Sequence, residues 1–206
     1  MKTTILFCIT LLFSVPIFGQ EKEKTKQPFP FDEFSISVNR TNIAMFSGYE
    51  NRFGCGAGMY HSSELSKQWN YMYGLEYNYT SLFEDQISDM ATHRVEKNIT
   101  FHIHTVSLMP LAFRFNMGKN IKYFIESGLF FGISVAGKKG EAYINHQPTD
   151  IKGDIGLSGG PSFGVGMRIP MNRMEWIVKT DYKAGLDGIN GIYQYYRLGV
   201  GIRKRK

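Results

Sequence analysis

The chain has 206 residues, a formal net charge of +6, and a high content of Phe (16), Tyr (12) and Gly (22). A length of this order suits one domain. Mean hydropathy is slightly negative, at −0.23, and no apolar run of about eighteen residues occurs downstream of residue 20, which excludes a bundle of transmembrane helices. Once residues 1–19 are removed, Cys55 is the only cysteine, so an internal disulfide is excluded.

Residues 1–19 have the pattern of a secretory signal peptide. Lys2 supplies the positive charge, residues 5–15 are mostly apolar, and Pro16 ends that run. An apolar stretch of this length is too short for a spanning helix, so a cleaved leader is predicted rather than a membrane anchor. We predict that cleavage occurs between Gly19 and Gln20. Residues 20–33, rich in Lys and Glu and then in Pro, are predicted to be a polar periplasmic tether.

The remainder, residues 34–206, predicts eight β-strands at approximately 34–44, 53–62, 69–81, 101–116, 121–136, 154–169, 174–185 and 193–204. Side chains alternate between the two faces of a strand. In the fifth predicted strand the odd positions from Tyr123 to Val135 are almost all apolar, whereas the even positions include Glu126, Gly128 and Gly132. In the fourth, Met109, Leu111 and Phe113 oppose Ala112, Arg114 and Asn116. We therefore predict an all-β fold, an eight-stranded antiparallel up-and-down transmembrane β-barrel with lipid outside and a polar lumen.

The predicted connections alternate in length. Residues 117–120 and 170–173 are short, rich in Gly, Asn or Pro, and are read as periplasmic turns. The stretches 45–52, 82–100, 137–153 and 186–192 are predicted as external loops. The turn near 63–68 is also placed on the periplasmic side. A soluble lipocalin-like barrel with an apolar interior remains an alternative, although the many glycines on the polar face of the sixth strand favour a crowded lumen.

Four segments resemble strands of the PorT-like outer-membrane β-barrel family of Bacteroidota. They are 105–115 (TVSLMPLAFRF), 123–132 (YFIESGLFFG), 159–166 (GGPSFGVG) and 196–202 (YRLGVGI). The resemblance covers essentially the whole chain after the predicted leader and implies a small barrel of about eight strands; one member of that family belongs to the type IX secretion machinery. The chain departs from such barrels in ending on basic residues after Ile202 rather than on an aromatic residue.

Charged residues on the inward face are predicted to form a lumenal network, because a buried charge without a partner is costly. An eight-stranded barrel has an interior just wide enough for side chains to fill it, so a free solute channel is not expected. The predicted network consists of Glu76, Arg114, Glu126, Arg168, Lys179, Asp181 and Arg197.

His102 and His104 share one strand face, which this register makes lumenal and close to the outer rim. They are weak candidates for a metal site, with His93 and His146 in external loops able to approach them. A lipid-modifying enzyme is the alternative, but His104 and Ser107 lie on opposite faces, and a serine that shares a face with a histidine would have to come from another strand. No nucleophile motif of the G-x-S-x-G type occurs.

The functional prediction is a structural or interaction role in the cell outer membrane, such as an accessory to envelope assembly or secretion, without catalysis. The alternatives are an outer-membrane enzyme, a small ligand-binding or transport barrel, and a lipocalin-like periplasmic carrier. No cofactor is predicted. The expected partners are outer-membrane lipids, the barrel assembly machinery and other envelope proteins, with no nucleic acid. We expect a monomer, because a closed barrel has no free sheet edge.

Overall fold

The computed structural model describes residues 31–43, 50–51, 53–89, 91–187 and 191–204. The predicted leader (1–19) and residues 20–30 of the predicted tether lie outside these ranges. Residues from Phe31 onward belong to one structural unit. The last residues of the predicted tether are part of it, because Asp32 and Glu33 are buried and Glu33 begins the first strand.

Ten strands, numbered in chain order, account for most of the described residues. They are β1 (Glu33–Ile43), β2 (Glu50–Asn51), β3 (Phe53–Glu64), β4 (Trp69–Asp89), β5 (Arg94–Met117), β6 (Lys122–Ile144), β7 (Gln147–Thr149), β8 (Asp154–Met171), β9 (Met174–Asp187) and β10 (Gly191–Lys204). Within the described ranges, no helix is long and apolar enough to span a membrane.

Eight of these strands close into an antiparallel ring in the order β1, β3, β4, β5, β6, β8, β9, β10. The ring closes where β1 pairs with β10, from Glu33 opposite Arg203 to Ile43 opposite Tyr193. Following paired residues around the ring from Phe53 leads back to β3 at Ser63, ten residues further along. This stagger means that the strands are tilted, as barrel closure requires.

Charge lies inside the barrel and apolar side chains lie outside. Arg114, Glu76 and Lys179 are buried in the interior, whereas the outer wall exposes large apolar side chains on most of the eight strands. Such an apolar wall is stable only against lipid, so the fold is a transmembrane β-barrel. The arrangement is the reverse of a lipocalin, in which the apolar face points inward. Examples of exposed outer residues are Ile36, Phe53, Val106, Phe131, Ile155, Phe163, Val165 and Leu198.

Three strands are much longer than the sequence pattern predicts. β4 continues to Asp89, β5 starts at Arg94, and β6 continues to Ile144. Most of the predicted loop 82–100 and the first half of 137–153 are therefore strand, and the connection between β6 and β7 shrinks to a tight turn. Asn145 and His146 both have positive φ, 49° and 65°, as a two-residue hairpin turn between β6 and β7 requires. The predicted loops 45–52 and 186–192 lie partly outside the described residues.

A bulge in β5 reverses the faces predicted for the residues of that strand that precede it. Pairing with β6 shifts between Leu108 and Leu111, and pairing with β4 shifts between Met72 and Gly74. Pro110 lies at the shift, where its missing N–H does not interrupt the hydrogen-bond ladder. Below the bulge, Leu111 and Phe113 face outward as predicted. Met109, predicted to face outward, is buried in the lumen, because the extra residue changes the alternation by one.

Candidate functional site

The centre of the lumen is organised around Arg114. Its guanidinium donates two hydrogen bonds to Glu33, with N···O distances of 2.8 and 2.9 Å, and a further one to Glu126. Arg114 and Glu33 are completely buried, and the guanidinium lies 4.4 Å from the ring centroid of Phe124. A fork-shaped donor set facing two carboxylates is among the strongest charge pairings available to side chains. Glu33 was not among the predicted network residues, because the sequence pattern placed it in the tether.

A second group of charges lies beside the first and surrounds the Tyr60 hydroxyl. Arg197 contacts Glu76 and Asp181, both at 2.8 Å, and Lys183 forms an ion pair with Glu76. The Tyr60 hydroxyl donates to Glu76 at 2.7 Å. Each charge therefore has an opposite charge or a hydrogen-bond partner, as burial demands.

Lys179 joins the two groups. Its ammonium lies 3.8 Å from Glu126 and 4.0 Å from Asp181, and 4.3 Å from the ring centroid of Tyr60. Near the short turn 172–173 between β8 and β9, Arg168 pairs with Glu175 at 3.2 Å and also donates to Asn116. All seven residues predicted to form a lumenal network thus point inward and have polar partners; the structure adds Glu33, Glu175 and Lys183.

An apolar cluster lies at the end of the lumen from which β4, β5 and β6 project. Leu82, Ile99, Phe101, Ile103 and Ala136 are buried against one another above the charged residues. Between the charged side chains, the cavity that includes Glu76, Glu126 and Lys179 has a volume of only about 10 Å³. This is roughly the space of one water molecule, so the charged side chains fill this part of the lumen.

His102 and His104 lie on the outer wall, and their predicted lumenal placement is wrong. They precede the Pro110 bulge, so they share the outward face with Val106, while Ser107 is the lumenal residue. His104 and Ser107 lie on opposite faces, as predicted. However, His104 faces outward and Ser107 faces the lumen, which is the reverse of the prediction. The proline within a predicted strand was the signal that could have revealed the reversal.

Each of these two histidines accepts or donates a hydrogen bond with a tyrosine of β4. The Tyr77 hydroxyl lies 2.7 Å from Nδ1 of His104, and the Tyr79 hydroxyl lies 2.8 Å from Nδ1 of His102. The Tyr79 ring is also stacked on His102, with an interplanar angle of 14°. A hydroxyl on a wall that faces lipid needs such a partner, because the hydrocarbon offers none. A third tyrosine of β4, Tyr71, donates to the Pro110 carbonyl at 2.8 Å.

His93 and His146 meet at the tip of the projecting strands, away from His102 and His104. The amide of Asn145 donates to the His93 carbonyl at 3.4 Å, and both histidines line an open groove of about 640 Å³. Eight residues of β5 separate Arg94, next to His93, from His102, which is about 26 Å at the rise of a strand. The predicted approach of the four histidines is therefore wrong. Among the described residues, no group of three or more His, Cys, Asp or Glu is arranged to hold a metal ion.

One serine does share a face with a histidine on the same strand, contrary to the sequence-based expectation. His61 Nε2 lies 3.1 Å from the Ser63 hydroxyl on the outer wall of β3, near the short turn to β4. The His61 ring packs 5.1 Å from Tyr73. The sequence signal for this shared face is the spacing: His61 and Ser63 are two residues apart on one strand, so both side chains lie on the same face.

No protein-family model matches this chain, and no curated protein matches it. Solved structures that are similar in fold include Ail, the attachment invasion locus protein of Yersinia pestis (12% identity, 84% of this chain and 99% of that chain, TM-score 0.41). Others are Neisserial surface protein A (9%, 85% and 96%, 0.44) and the outer membrane enzyme PagL (19%, 82% and 97%, 0.41). The ring of eight paired strands in this chain itself defines its class, a closed eight-stranded transmembrane barrel. Its PorT-like resemblance stays a prediction.

Proposed function

We infer that this protein is a small outer-membrane barrel with a structural or interaction role, acting through its outer surface rather than through a pore or a catalytic centre. The observation that carries this proposal is the filled lumen. Ion pairs occupy the middle of the barrel and an apolar cluster covers its external end. A transport route would need space that these side chains occupy.

The outer-membrane location is supported by the distribution of the connections. At one end of the barrel the strands are joined by short turns, such as the four residues 65–68 between β3 and β4 and the two residues 172–173 between β8 and β9. At the other end β4, β5 and β6 extend far beyond their neighbours. Outer-membrane barrels have this asymmetry, with short periplasmic turns and long external segments.

The projecting strands supply the surface for interaction. The last pair between β6 and β8 is Ala136 with Asp154, yet β6 continues to Ile144 while paired with β5. The result is a sheet that stands beyond the apolar wall and presents polar side chains from three strands. Another envelope component or the headgroups of the surrounding lipids would meet this sheet first.

Two measurements on the full-length protein test the proposal. In outer-membrane fractions, we expect a band that migrates differently before and after boiling, because a closed barrel resists detergent until it is heated. In planar bilayers, we expect the purified protein to give no single-channel conductance steps. A band only in the periplasmic fraction, or regular conductance steps, would contradict the proposal.

An enzyme is the second candidate, and one specific contact favours it. His61 Nε2 is placed to accept the proton of the Ser63 hydroxyl, the first requirement for a serine nucleophile. The pair faces the lipid near the periplasmic end, where an acyl ester could reach it. Incubation of the protein with phospholipid vesicles, comparing wild type with Ser63→Ala, tests this candidate. Release of fatty acid by wild type alone would support an enzyme, and no release from either would favour the structural role.

A further inference from the structure

The outer faces of β4, β5 and β6 change in character along the strands, from apolar to polar to cationic. On β5 and β6, Val106 lies opposite Ile133 and His104 opposite Val135. One step further out, His102 lies opposite Gly137, and Thr100 opposite Lys139. The apolar side chains Val106, Ile133 and Val135 are about half exposed, as lipid-facing residues are. The two histidines therefore mark the upper edge of the apolar wall.

Each Tyr–His pair at this edge presents a polar hydrogen to the outside, whichever nitrogen of the imidazole is protonated. A neutral pair has two polar hydrogens, one on the phenol and one on the imidazole. One of them lies between Tyr77 and His104, or between Tyr79 and His102. The other remains on the outer face, on Nε2 or on the tyrosine oxygen. Two such donors side by side suit a ligand with several acceptor oxygens.

Cations lie directly beyond the histidines. Lys139 is exposed on β6, and Lys97 is exposed on β5 opposite Glu141. Above them is the open groove of about 640 Å³, which combines aromatic, amide, hydroxyl and cationic side chains. Carbohydrates are commonly bound by such mixtures of hydrogen-bonding groups and aromatic rings. The residues that line the groove are Gln86, Ser88, His93, Arg94, Val95, Lys97, Tyr143, Asn145 and His146.

We propose that this wall is a binding site for a phosphorylated glycolipid of the outer leaflet. Its acyl chains lie against Val106, Ile133 and Val135. Its phosphate accepts hydrogen bonds from the two Tyr–His pairs and faces Lys139, and its sugars enter the groove above. The order of apolar, donor and cationic surfaces along the strands matches the order of chain, phosphate and sugar in such a lipid. The inference rests on the proposed outer-membrane location.

The test uses the full-length protein in nanodiscs and native mass spectrometry. Bis-phosphorylated lipid A, lipid A from which the phosphates have been removed, and phosphatidylethanolamine are the probes. We expect wild type to retain bis-phosphorylated lipid A about tenfold more strongly than the dephosphorylated form, the change expected from losing one charge-assisted contact. Equal retention of the three lipids would overturn the inference, because it would indicate only a general lipid coat.

Variants locate the site. The triple variant His102→Phe, His104→Phe, Lys139→Gln should lose the preference for the phosphorylated probe. The control Lys119→Gln, Lys204→Gln removes exposed cations at the opposite end of the barrel and should keep it. Retention of the preference by the triple variant would overturn the inference. The boiling shift of each sample separates the two proposals: a protein that never enters the outer membrane contradicts both, whereas an inserted barrel without lipid preference contradicts only this one.

Discussion

The lower and upper parts of β4, β5 and β6 belong to the same strands but are built differently. Within the ring, their inward side chains join a buried ion network, in which Arg114 contacts two carboxylates. Beyond the last pair between β6 and β8, Lys138 pairs with Asp154 at 2.8 Å, and this carboxylate is half exposed. Buried charge pairs are costly to break, whereas exposed ones contribute little. Stability therefore depends mainly on the lumen, whereas the projecting sheet carries the interaction surface that we propose.

The largest effect should come from Arg114→Met. The substitution leaves Glu33 and Glu126 buried without their cation, and loss of one partner of a buried pair typically costs about 3–5 kcal/mol. Urea unfolding of the refolded protein in lipid vesicles measures the change. Lys138→Met is the matched control at the base of the projecting sheet, because its partner Asp154 is half exposed, with an expected loss below about 1 kcal/mol. Similar losses for the two variants would contradict the division between the two regions.

A smaller effect is expected from filling the lumen further. A Cβ at Gly166 would lie 2.5 Å from both the Val178 carbonyl oxygen and the Phe124 ring, whereas at Gly137 the nearest atom is 3.9 Å away. Gly166→Ala should therefore lower the free energy of unfolding by about 1–3 kcal/mol, the usual cost of overpacking. Gly137→Ala should have little effect in the same unfolding assay. If Gly166→Ala were as stable as wild type, the lumen would be less tightly packed than described.

The Tyr–His pairs should contribute at the level of single hydrogen bonds. His102→Phe or His104→Phe keeps a ring on the wall but removes the partner of a tyrosine hydroxyl. We expect each to cost about 0.5–1.5 kcal/mol. Combining His104→Phe with Tyr77→Phe should recover part of the loss, because no unpaired hydroxyl then remains. A double variant that is no more stable than His104→Phe would show that the hydroxyl is satisfied in another way.

The smallest effect should come from shortening the projecting sheet. Gln86 and Lys97 are paired, so an Asn-Gly turn can replace residues 87–96 and join them as a two-residue hairpin. The free energy of unfolding should change by no more than about 1 kcal/mol, since mainly the outer contact of the partly buried Ile87 with the apolar cluster is lost. The boiling shift should persist. Failure to fold would mean that the sheet is part of the stabilising core.

Much of the ring could be predicted from the sequence, because alternation is strongest where one face meets lipid. The predicted strand 121–136 lies within β6 except for its first residue, and its odd residues Ile125, Leu129 and Phe131 all face outward. The outer parts of β4, β5 and β6 were predicted as loops because neither face there meets lipid, so both are mixed in polarity. Their pairing with one another depends on contacts between strands, which alternation within one strand does not reveal.

The candidate sites were harder to predict than the fold. The inward charges followed from alternation. The lumenal position of Glu33 could not be predicted, because the sequence pattern did not show that β1 begins at this residue. His102 and His104 were placed on the wrong face because one extra residue at the Pro110 bulge shifts all the positions before it. The contact between His61 and Ser63 depends on side-chain rotamers, which strand periodicity does not determine.

The most direct test of the central claim, an apolar outer wall in lipid around a filled lumen, uses the two tryptophans. Trp69 and Trp176 are both exposed on the outer wall, near the starts of β4 and β9, at the level where membrane proteins place tryptophan. With Trp69→Phe and Trp176→Phe variants to separate the signals, we expect strong quenching of each tryptophan by lipids brominated near the headgroup. Weaker quenching is expected from bromine at the chain ends. Absence of quenching by either lipid would contradict the account, because the outer wall would then not face lipid.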